Sequence, residues 1–285
     1  MPHLSEPVDL FNIRAHVPRF AACVADYHAS SAATRARLPA RLNVAYGDAP
    51  DENLDLFFPD PASSTNPAPI HLFLHGGYWR AYSKNDYSYV ADSIVAQGAI
   101  AAIVDYSLMP SARMGALVDQ ARRAADWLGR QAPEFGGDPR AISASGHSAG
   151  GHLVSYLVCR GPREGEFPRT PVRSVLAVSG IFDLAPMRQS FLQSEIHLTA
   201  EEVSQWSPRG AIPRPGSIVR LAVGGLETAP FLEQAKHFAD RLSSFELSPL
   251  SSIVAGEDHM TIVRSLGRPE RECAKLLADA IADSR

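Results

Sequence analysis

The feature that most constrains the fold is an alternation of short apolar runs with longer amphipathic runs, from about residue 70 onward. The short runs are rich in β-branched residues and are bounded by Gly, Pro or Asp, which predicts strands. They lie at 70–74, 99–104, 141–145, 172–179, 217–223 and 251–256. The amphipathic runs predict helices at 88–97, 115–131, 149–159, 228–243 and 269–283. Because such alternation builds βαβ units, we predict an α/β fold with a mostly parallel central sheet and helices on both faces.

Four segments fall outside this alternation. Residues 10–45 are alanine-rich and are predicted to form a helical N-terminal flank, and residues 52–59 an early strand. Residues 59–69 hold Pro and Ser at turn spacing. Residues 183–213 contain short helical pieces and are predicted to form a small cap. With 285 residues, we expect a single domain over 1–285.

Composition narrows the class of partner. The net charge is -4 and no block of Lys or Arg interrupts the chain, so neither nucleic acid nor an anionic membrane is expected as a partner. The first 20 residues lack the pattern of a signal peptide. The run 99–104 is far shorter than the roughly 18 apolar residues of a membrane span. We therefore expect a cytoplasmic protein acting on a small molecule, with a homodimer left open.

Cysteine content agrees with a reducing compartment. The three cysteines, Cys23, Cys159 and Cys273, are widely spaced and form no C-x-x-C motif. Their number and spacing argue against a disulfide framework or a zinc site.

The motif richest in chemical information is Gly146-His147-Ser148-Ala149-Gly150, a G-x-S-x-G between a predicted strand and a predicted helix. A serine on such a sharp strand-to-helix turn needs small neighbours two positions away, and it then exposes its hydroxyl. This context predicts Ser148 as a nucleophile. The alternative is a small-residue turn that only packs a helix on the sheet.

A serine hydroxyl becomes a good nucleophile only when a base accepts its proton. His259 follows the last predicted strand and is the candidate base. The chain order Ser…acid…His requires a carboxylate after an intervening strand, where Glu227 lies, with Asp183 as the alternative. Asp258 adjoins His259 in sequence, where the two side chains rarely meet with useful geometry.

A serine hydrolase also needs hydrogen-bond donors for the developing oxyanion. The residue after the nucleophile, Ala149, supplies one backbone N–H. A loop after an early strand supplies another, and His75-Gly76-Gly77 follows the strand 70–74. Gly76 and Gly77 lack a Cβ, so their amides can approach a reacting carbonyl closely.

Aromatic residues crowd the segment after these glycines. Tyr78, Trp79 and Tyr82 are predicted to help line a pocket with flat apolar walls, although ordinary core packing is the alternative.

No metal or nucleotide cofactor is expected. His147 and His152 are part of no H-E-x-x-H motif. His71 and His75 lie roughly 13 Å apart on one strand, too far for a shared metal. No G-x-G-x-x-G or G-x-x-x-x-G-K-[ST] follows a strand.

Taken together, these motifs resemble those of the kynurenine formamidase (arylformamidase) group of the α/β-hydrolase superfamily. The most specific stretch is HGGYW at 75–79, which is similar to the group's H-G-G-x-W. The resemblance continues in ENLDLF, GHSAGGHL, SGIFDL, the G-x-x-E-x-x-x-F-x-x-Q of 224–234 and the final DHM. It implies an α/β-hydrolase fold and gives the same site residues: the triad Ser148, Glu227 and His259, with oxyanion donors Gly76, Gly77 and Ala149. In relatives the acid is more often Asp.

Three functions follow from these residues. The first is a serine hydrolase that cleaves N-formyl aryl amides such as N-formylkynurenine. The second is a carboxylesterase for small acyl esters, which differs in the leaving group. The third is a catalytically silent binding protein of the same fold, which the presence of serine, acid and histidine disfavours.

Overall fold

An eight-stranded sheet forms the centre of the protein, for which a computed structural model describes residues 9–61 and 67–285. Its strands are β1 (Ala40–Ala45), β2 (Asn53–Phe57), β3 (Ala68–Leu74), β4 (Ile100–Val104), β5 (Gly137–His147), β7 (Ser174–Val178), β9 (Ile218–Gly224) and β10 (Leu250–Val254). They are ordered β1-β2-β4-β3-β5-β7-β9-β10. Two short strands, β6 (Cys159–Arg160) and β8 (Ile212–Pro213), pair separately.

Strand direction and register bring the strand ends together. β1, β2 and β4 pair antiparallel, and all other pairs in the large sheet are parallel. Leu74 pairs with Gly146, and His147 pairs with Val178. The carboxyl ends of β3, β5 and β7 therefore lie side by side, which is where ligands bind in open α/β sheets.

Helices cover both faces of the sheet. Helices α5 and α6 pack together on one face, and α4 and α11 pack together on the other. The helices are α1 (Ile13–His16), α2 (Phe20–Arg37), α3 (Lys84–Tyr87), α4 (Ala91–Ala96), α5 (Met114–Gln131), α6 (Ala149–Val158), α7 (Gln193–Ile196), α8 (Ala200–Trp206), α9 (Ala229–Ser243), α10 (His259–Ser265) and α11 (Glu272–Ala282). The fold is thus the predicted α/β architecture.

The sequence pattern explains why these segments form these elements. On α5, Leu117, Ala121, Ala124 and Leu128 recur at helical spacing and are all fully buried, as predicted from their single stripe. The parallel strand β4 is buried along its whole length, because helices cover both sides of it. The six predicted strands and five predicted helices are confirmed, with ends shifted by a few residues.

Three local predictions need correction or fall outside the described residues. Residues 40–45 were expected to be helical and instead form β1, whose largely exposed side chains carry no strand signal. Pairing with β2 decides their conformation. In the predicted turn 59–69, residues 62–66 lie outside the described part, and 68–69 belong to β3. Residues 1–8, part of the segment predicted to lack a signal peptide, also lie outside it.

The segment 183–213, predicted to form a cap and called the cap segment below, contains short helical pieces, including α7 and α8, and ends in the short strand β8. None of the helices described is both long enough and apolar enough to span a bilayer. All three cysteines are free thiols.

Candidate active site

Ser148 lies on a sharp turn between β5 and α6. Its backbone has φ 55° and ψ -114°, a region in which an L-residue is strained. A Cβ at Gly146 would overlap the carbonyl oxygen of Gly150, and a Cβ at Gly150 would overlap that of Leu74. The small residues of the motif are therefore required by backbone approach. This matches the strained serine turn predicted from the sequence.

Glu227 and His259 are joined directly. The Nδ1 of His259 lies 2.6 Å from Oε2 of Glu227, and both side chains are buried. The other carboxylate oxygen, Oε1, accepts hydrogen bonds from the Ser179 hydroxyl at 2.5 Å and from the Gly224 amide at 2.8 Å. With both oxygens held, Glu227 can fix the tautomer of His259 that leaves Nε2 available as a base.

The other two candidate carboxylates, Asp183 and Asp258, bind groups other than the imidazole of His259. Asp183 pairs with the guanidinium of Arg209 at 2.5 Å and accepts from the Ala185 amide. Asp258 caps α10 by accepting from the amides of Met260 and Thr261, at 2.8 Å each. The structure brings neither of them to His259.

Ser148 and His259 line one cavity of about 470 Å³. Within the described residues, no hydrogen bond joins the Ser148 hydroxyl to the imidazole of His259. In ligand-free sites such bonds are often long and tighten only when substrate binds. The shared cavity is therefore the relevant geometric relation between the two side chains.

His147 supports the turn at His259. Its Nε2 donates to the His259 carbonyl oxygen at 2.9 Å, and the two rings lie 4.6 Å apart. Burial lowers the pKa of His147 well below its ordinary value, so the ring is neutral near pH 7. The sequence marked His147 only as a poor metal ligand, and its contact with His259 depends on tertiary structure.

The predicted oxyanion loop lies beside Ser148. A Cβ added to Gly76 would come within 2.9 Å of His147 Nδ1 and 3.3 Å of the Ser148 Cβ. Gly77 has φ 111°, and a side chain there would overlap the Ala81 carbonyl oxygen. Ala149 is the first residue of α6, so its amide has no intrahelical acceptor. Gly76 and Ala149 thus lie next to the serine, and Gly77 lines the same cavity.

His75 holds this loop in shape. It is fully buried, its Nδ1 donates to the Gly76 carbonyl at 2.8 Å, and its ring stacks on Tyr106 at 4.3 Å. The Tyr106 hydroxyl in turn donates to the His75 carbonyl at 2.7 Å. Burial lowers the pKa of His75, which keeps the imidazole neutral.

Trp79 is a structural residue and does not line the cavity, contrary to the sequence-based expectation. It is fully buried, and its indole N–H donates to Nδ1 of His152 at 3.2 Å. His152 Nε2 donates to the Trp206 carbonyl at 2.7 Å, and burial lowers the pKa of His152 to about 4. The aromatic residue therefore ties the HGG loop to α6, because an indole needs a hydrogen-bond partner when buried.

Tyr78 and Tyr82 do line the cavity, as predicted. The Tyr78 hydroxyl donates to the Phe11 carbonyl at 2.5 Å, so the N-terminal flank closes over this side. The remaining lining comes from both peripheral segments as well as the centre: Asn12, Ile13, Arg14, Phe20, Gly77, Arg80, Ala81, Tyr87, His147, Phe191 and Met260. The sequence offered no signal for Phe20 or Phe191, since neither belongs to a motif.

Comparison with known proteins shows the family to which the chain belongs. The model of a family with an alpha/beta hydrolase fold matches residues 71–215, about half of the chain. The chain belongs to this α/β-hydrolase family.

The individual relatives are named for different hydrolase activities. The chain is 28% identical to a kynurenine formamidase from Danio rerio over 248 residues, which is 85% of this chain and 82% of that one. It is 30% identical to esterase LipC from Mycobacterium tuberculosis over 227 residues, covering 73% and 56% of the two chains. The crystal structure of a Silicibacter protein with a suggested thioesterase activity superimposes with a TM-score of 0.82 at 26% identity, covering 96% and 97%. Hydrolase activity is the property these α/β-hydrolases have in common.

Across the described residues, no group of three or more His, Cys, Asp or Glu side chains is placed to hold a metal ion.

Proposed function

We propose that this hydrolase cleaves N-formyl aryl amides, with Ser148 as nucleophile, His259 as general base and acid, and Glu227 as the residue that orients His259. The observation that carries the proposal is the 2.6 Å contact between Glu227 and His259 at the cavity that exposes a strained Ser148. Similarity to kynurenine formamidases over most of the chain supports the choice of substrate class.

The proposed reaction proceeds in two steps. In the first, the Ser148 hydroxyl oxygen attacks the formyl carbon while His259 Nε2 takes its proton. The oxyanion accepts hydrogen bonds from the amides of Gly76, Gly77 and Ala149, each worth on the order of 10²–10³ in rate. The C–N bond then breaks, and His259 returns the proton to the departing aryl amine.

In the second step, His259 removes a proton from water, which attacks the formyl ester on Ser148. Collapse of this second tetrahedral species releases formate, and the proton returns to the Ser148 oxygen. Glu227 stays ionised throughout and stabilises the imidazolium form of His259.

The shape of the cavity favours a flat leaving group. Tyr78, Tyr82, Phe20 and Phe191 provide aromatic surface around it, and the volume of about 470 Å³ lies in the range of small-molecule sites. A formyl group carries no acyl side chain, so most of this space is available to the leaving group.

A carboxylesterase acting on small acyl esters is the second candidate. The similarity to LipC at 30% identity favours it, and the same serine, histidine and donors would serve an ester.

The two functions are separated by comparing kcat/KM for N-formylkynurenine with kcat/KM for p-nitrophenyl acetate. Ser148→Ala serves as the blank. We expect the formamide to be the better substrate. A clear preference for the acetate ester, with little turnover of the formamide, would transfer the assignment to the carboxylesterase.

A further inference from the structure

The charges at the cavity are unbalanced. Of the described residues that line it, two carry a permanent charge, Arg14 and Arg80, and none is Asp or Glu. The whole chain has a net charge of -4, so this local excess of positive charge runs against the overall balance. A cavity lined by one sign of charge attracts ligands of the opposite sign.

Of the two cations, Arg14 makes fewer contacts with other side chains. It is exposed, and its guanidinium lies over the ring of Phe20, 5.2 Å from the ring centroid. Among the described residues no carboxylate lies within ion-pair distance of it, and it makes no hydrogen bond through its side chain. Its five N–H donors are therefore available to a ligand.

Arg80 is anchored by contacts with two other side chains. One of its terminal nitrogens pairs with Glu195 at 2.7 Å, and its guanidinium lies 5.9 Å from the ring centroid of Phe191. Its Nε is buried and has no hydrogen-bond partner in the described part of the chain. The side chain is thus anchored and still has donor capacity left.

Arg14 and Arg80 line the cavity together with Tyr82. Burial raises the pKa of Tyr82, the charge of Asp86 raises it further, and the charges of Arg14 and Arg80 oppose that rise. The two cations therefore reach one region of the cavity from two segments of the chain. Of the nearby acidic groups, Glu195 pairs with Arg80 at 2.7 Å, Asp9 accepts from the Phe191 amide at 2.8 Å, and Asp86 pairs with His28 at 3.0 Å.

We propose that Arg14, assisted by Arg80, binds a carboxylate on the leaving group of the substrate and selects aryl substrates that carry this carboxylate over those that lack it. This rests on the proposed function, and it narrows the substrate class to aromatic formamides that carry an acidic side chain. N-Formylkynurenine has such a carboxylate, in the amino-acid side chain remote from its formamide. A guanidinium suits this role because its planar donors match the two oxygens of a carboxylate.

The test compares two formamides that differ in that side chain. 4-(2-Formamidophenyl)-4-oxobutanoate, the desamino analogue of N-formylkynurenine, carries the carboxylate and no ammonium group, whereas ortho-formamidoacetophenone keeps the aryl ketone and formamide without the carboxylate. We expect Arg14→Gln to lower the ratio of kcat/KM for the charged substrate over the neutral one about tenfold, chiefly through KM. The preference of the wild type should also weaken as ionic strength rises.

Arg19→Gln is the matched control, because Arg19 is an exposed arginine of the same flank that does not line this cavity. It should leave the ratio unchanged. An equal loss on both formamides in Arg14→Gln, or no change in the ratio, overturns the proposal.

Failure of the formamidase assignment can be told apart from failure of this inference. If the wild type hydrolyses p-nitrophenyl acetate and neither formamide, inhibition of ester hydrolysis by hydrocinnamate is compared with inhibition by hydrocinnamamide. Tighter inhibition by the carboxylate that is lost in Arg14→Gln supports the anion site on its own. Equal inhibition by the two compounds overturns it.

Discussion

The two sides of the cavity are built differently. The inner wall, formed by Gly77, His147, Ser148 and His259, lies at the ends of buried parallel strands. The outer wall, formed by Arg14, Phe20, Arg80 and Phe191, is more exposed and comes largely from the N-terminal flank and the cap segment. The inner wall is held by backbone strain and by buried hydrogen bonds, whereas cation–π contacts and one ion pair organise the outer wall.

We expect the inner wall to carry out the reaction and the outer wall to select the substrate. Reacting groups must be positioned within fractions of an ångström, which rigid strand ends provide. Substrate choice tolerates looser contacts and can vary with the peripheral segments. Changes in the inner wall should therefore act on kcat, and changes in the outer wall on KM.

The largest expected effect is at Ser148. Ser148→Ala removes the proposed nucleophile and should lower kcat by about 10⁴-fold or more. The control is Ser155→Ala on the same helix, whose hydroxyl donates only to the Gly151 carbonyl at 3.0 Å and should matter little. Residual activity near that of the wild type in Ser148→Ala would contradict the assignment of the inner wall.

The second largest effect is expected at Glu227, the proposed acid of the triad. Glu227→Gln keeps the shape of the side chain but disturbs the tautomer of His259, so kcat should fall about 10³–10⁴-fold. Asp183→Asn should change kcat little, because Asp183 is bound to Arg209. Steady-state kinetics measures kcat for both variants at equal folded fraction. A larger loss of kcat in Asp183→Asn than in Glu227→Gln would move the role of the acid to Asp183.

The buried histidines behind the inner wall predict a pH dependence of stability. Burial lowers the pKa of His71 to about 3 and of His152 to about 4. In the unfolded chain both would titrate near their ordinary pKa of about 6.5. Below that pH the unfolded state binds protons that the folded state excludes, so the free energy of unfolding falls. From about pH 7.5 to about pH 5, the two histidines together should cost on the order of 4 kcal/mol.

Urea unfolding at the two pH values measures this loss. His152→Gln should reduce the difference by about 2 kcal/mol, since glutamine does not titrate. His197→Asn is the control from the cap segment: His197 is exposed, and Asn tolerates its φ of 49°. A pH dependence that is unchanged in His152→Gln would show that the buried imidazole is not its source.

Substitution of Trp79 tests whether this residue has a structural role or lines the cavity. Trp79→Phe leaves His152 Nδ1 without its donor and should cost about 2 kcal/mol of stability. The ratio of kcat/KM for formamide over ester should not change. Trp127→Phe, at a partly buried indole stacked on Phe135, should cost less. A changed ratio at full stability would restore Trp79 to the cavity.

The smallest expected effect lies in the outer wall. Phe191→Ala removes one aromatic surface and should raise KM for an aryl formamide about threefold with little change in kcat. Phe245→Ala is matched in exposure, 37% against 36%, and lies away from the cavity. If Phe191→Ala lowered kcat and left KM unchanged, the expectation that the outer wall acts on KM and the inner wall on kcat would be wrong.

Most of the fold could be predicted from local patterns. Parallel strands buried on both faces must be continuously apolar, and β4 carries that signal over all five residues. The edge strand β1 lacks it, because its side chains are largely exposed and its partner β2 determines its conformation. An exposed edge strand leaves little trace in hydrophobic periodicity.

The inner wall was predictable because its chemistry imposes sequence constraints that do not depend on distant residues. Only Gly fits at positions 146 and 150, since any Cβ would overlap neighbouring backbone, and the serine between them then lies on a strained turn at the cavity. The sequence alone therefore determined the α/β class, the position of Ser148 and the candidates for base and acid. The tertiary structure paired Glu227 with His259 and Asp183 with Arg209, placed Trp79 in the core, and brought Arg14 and Arg80 to one cavity. Those outcomes depend on contacts between segments far apart in the chain, and no local pattern records such contacts.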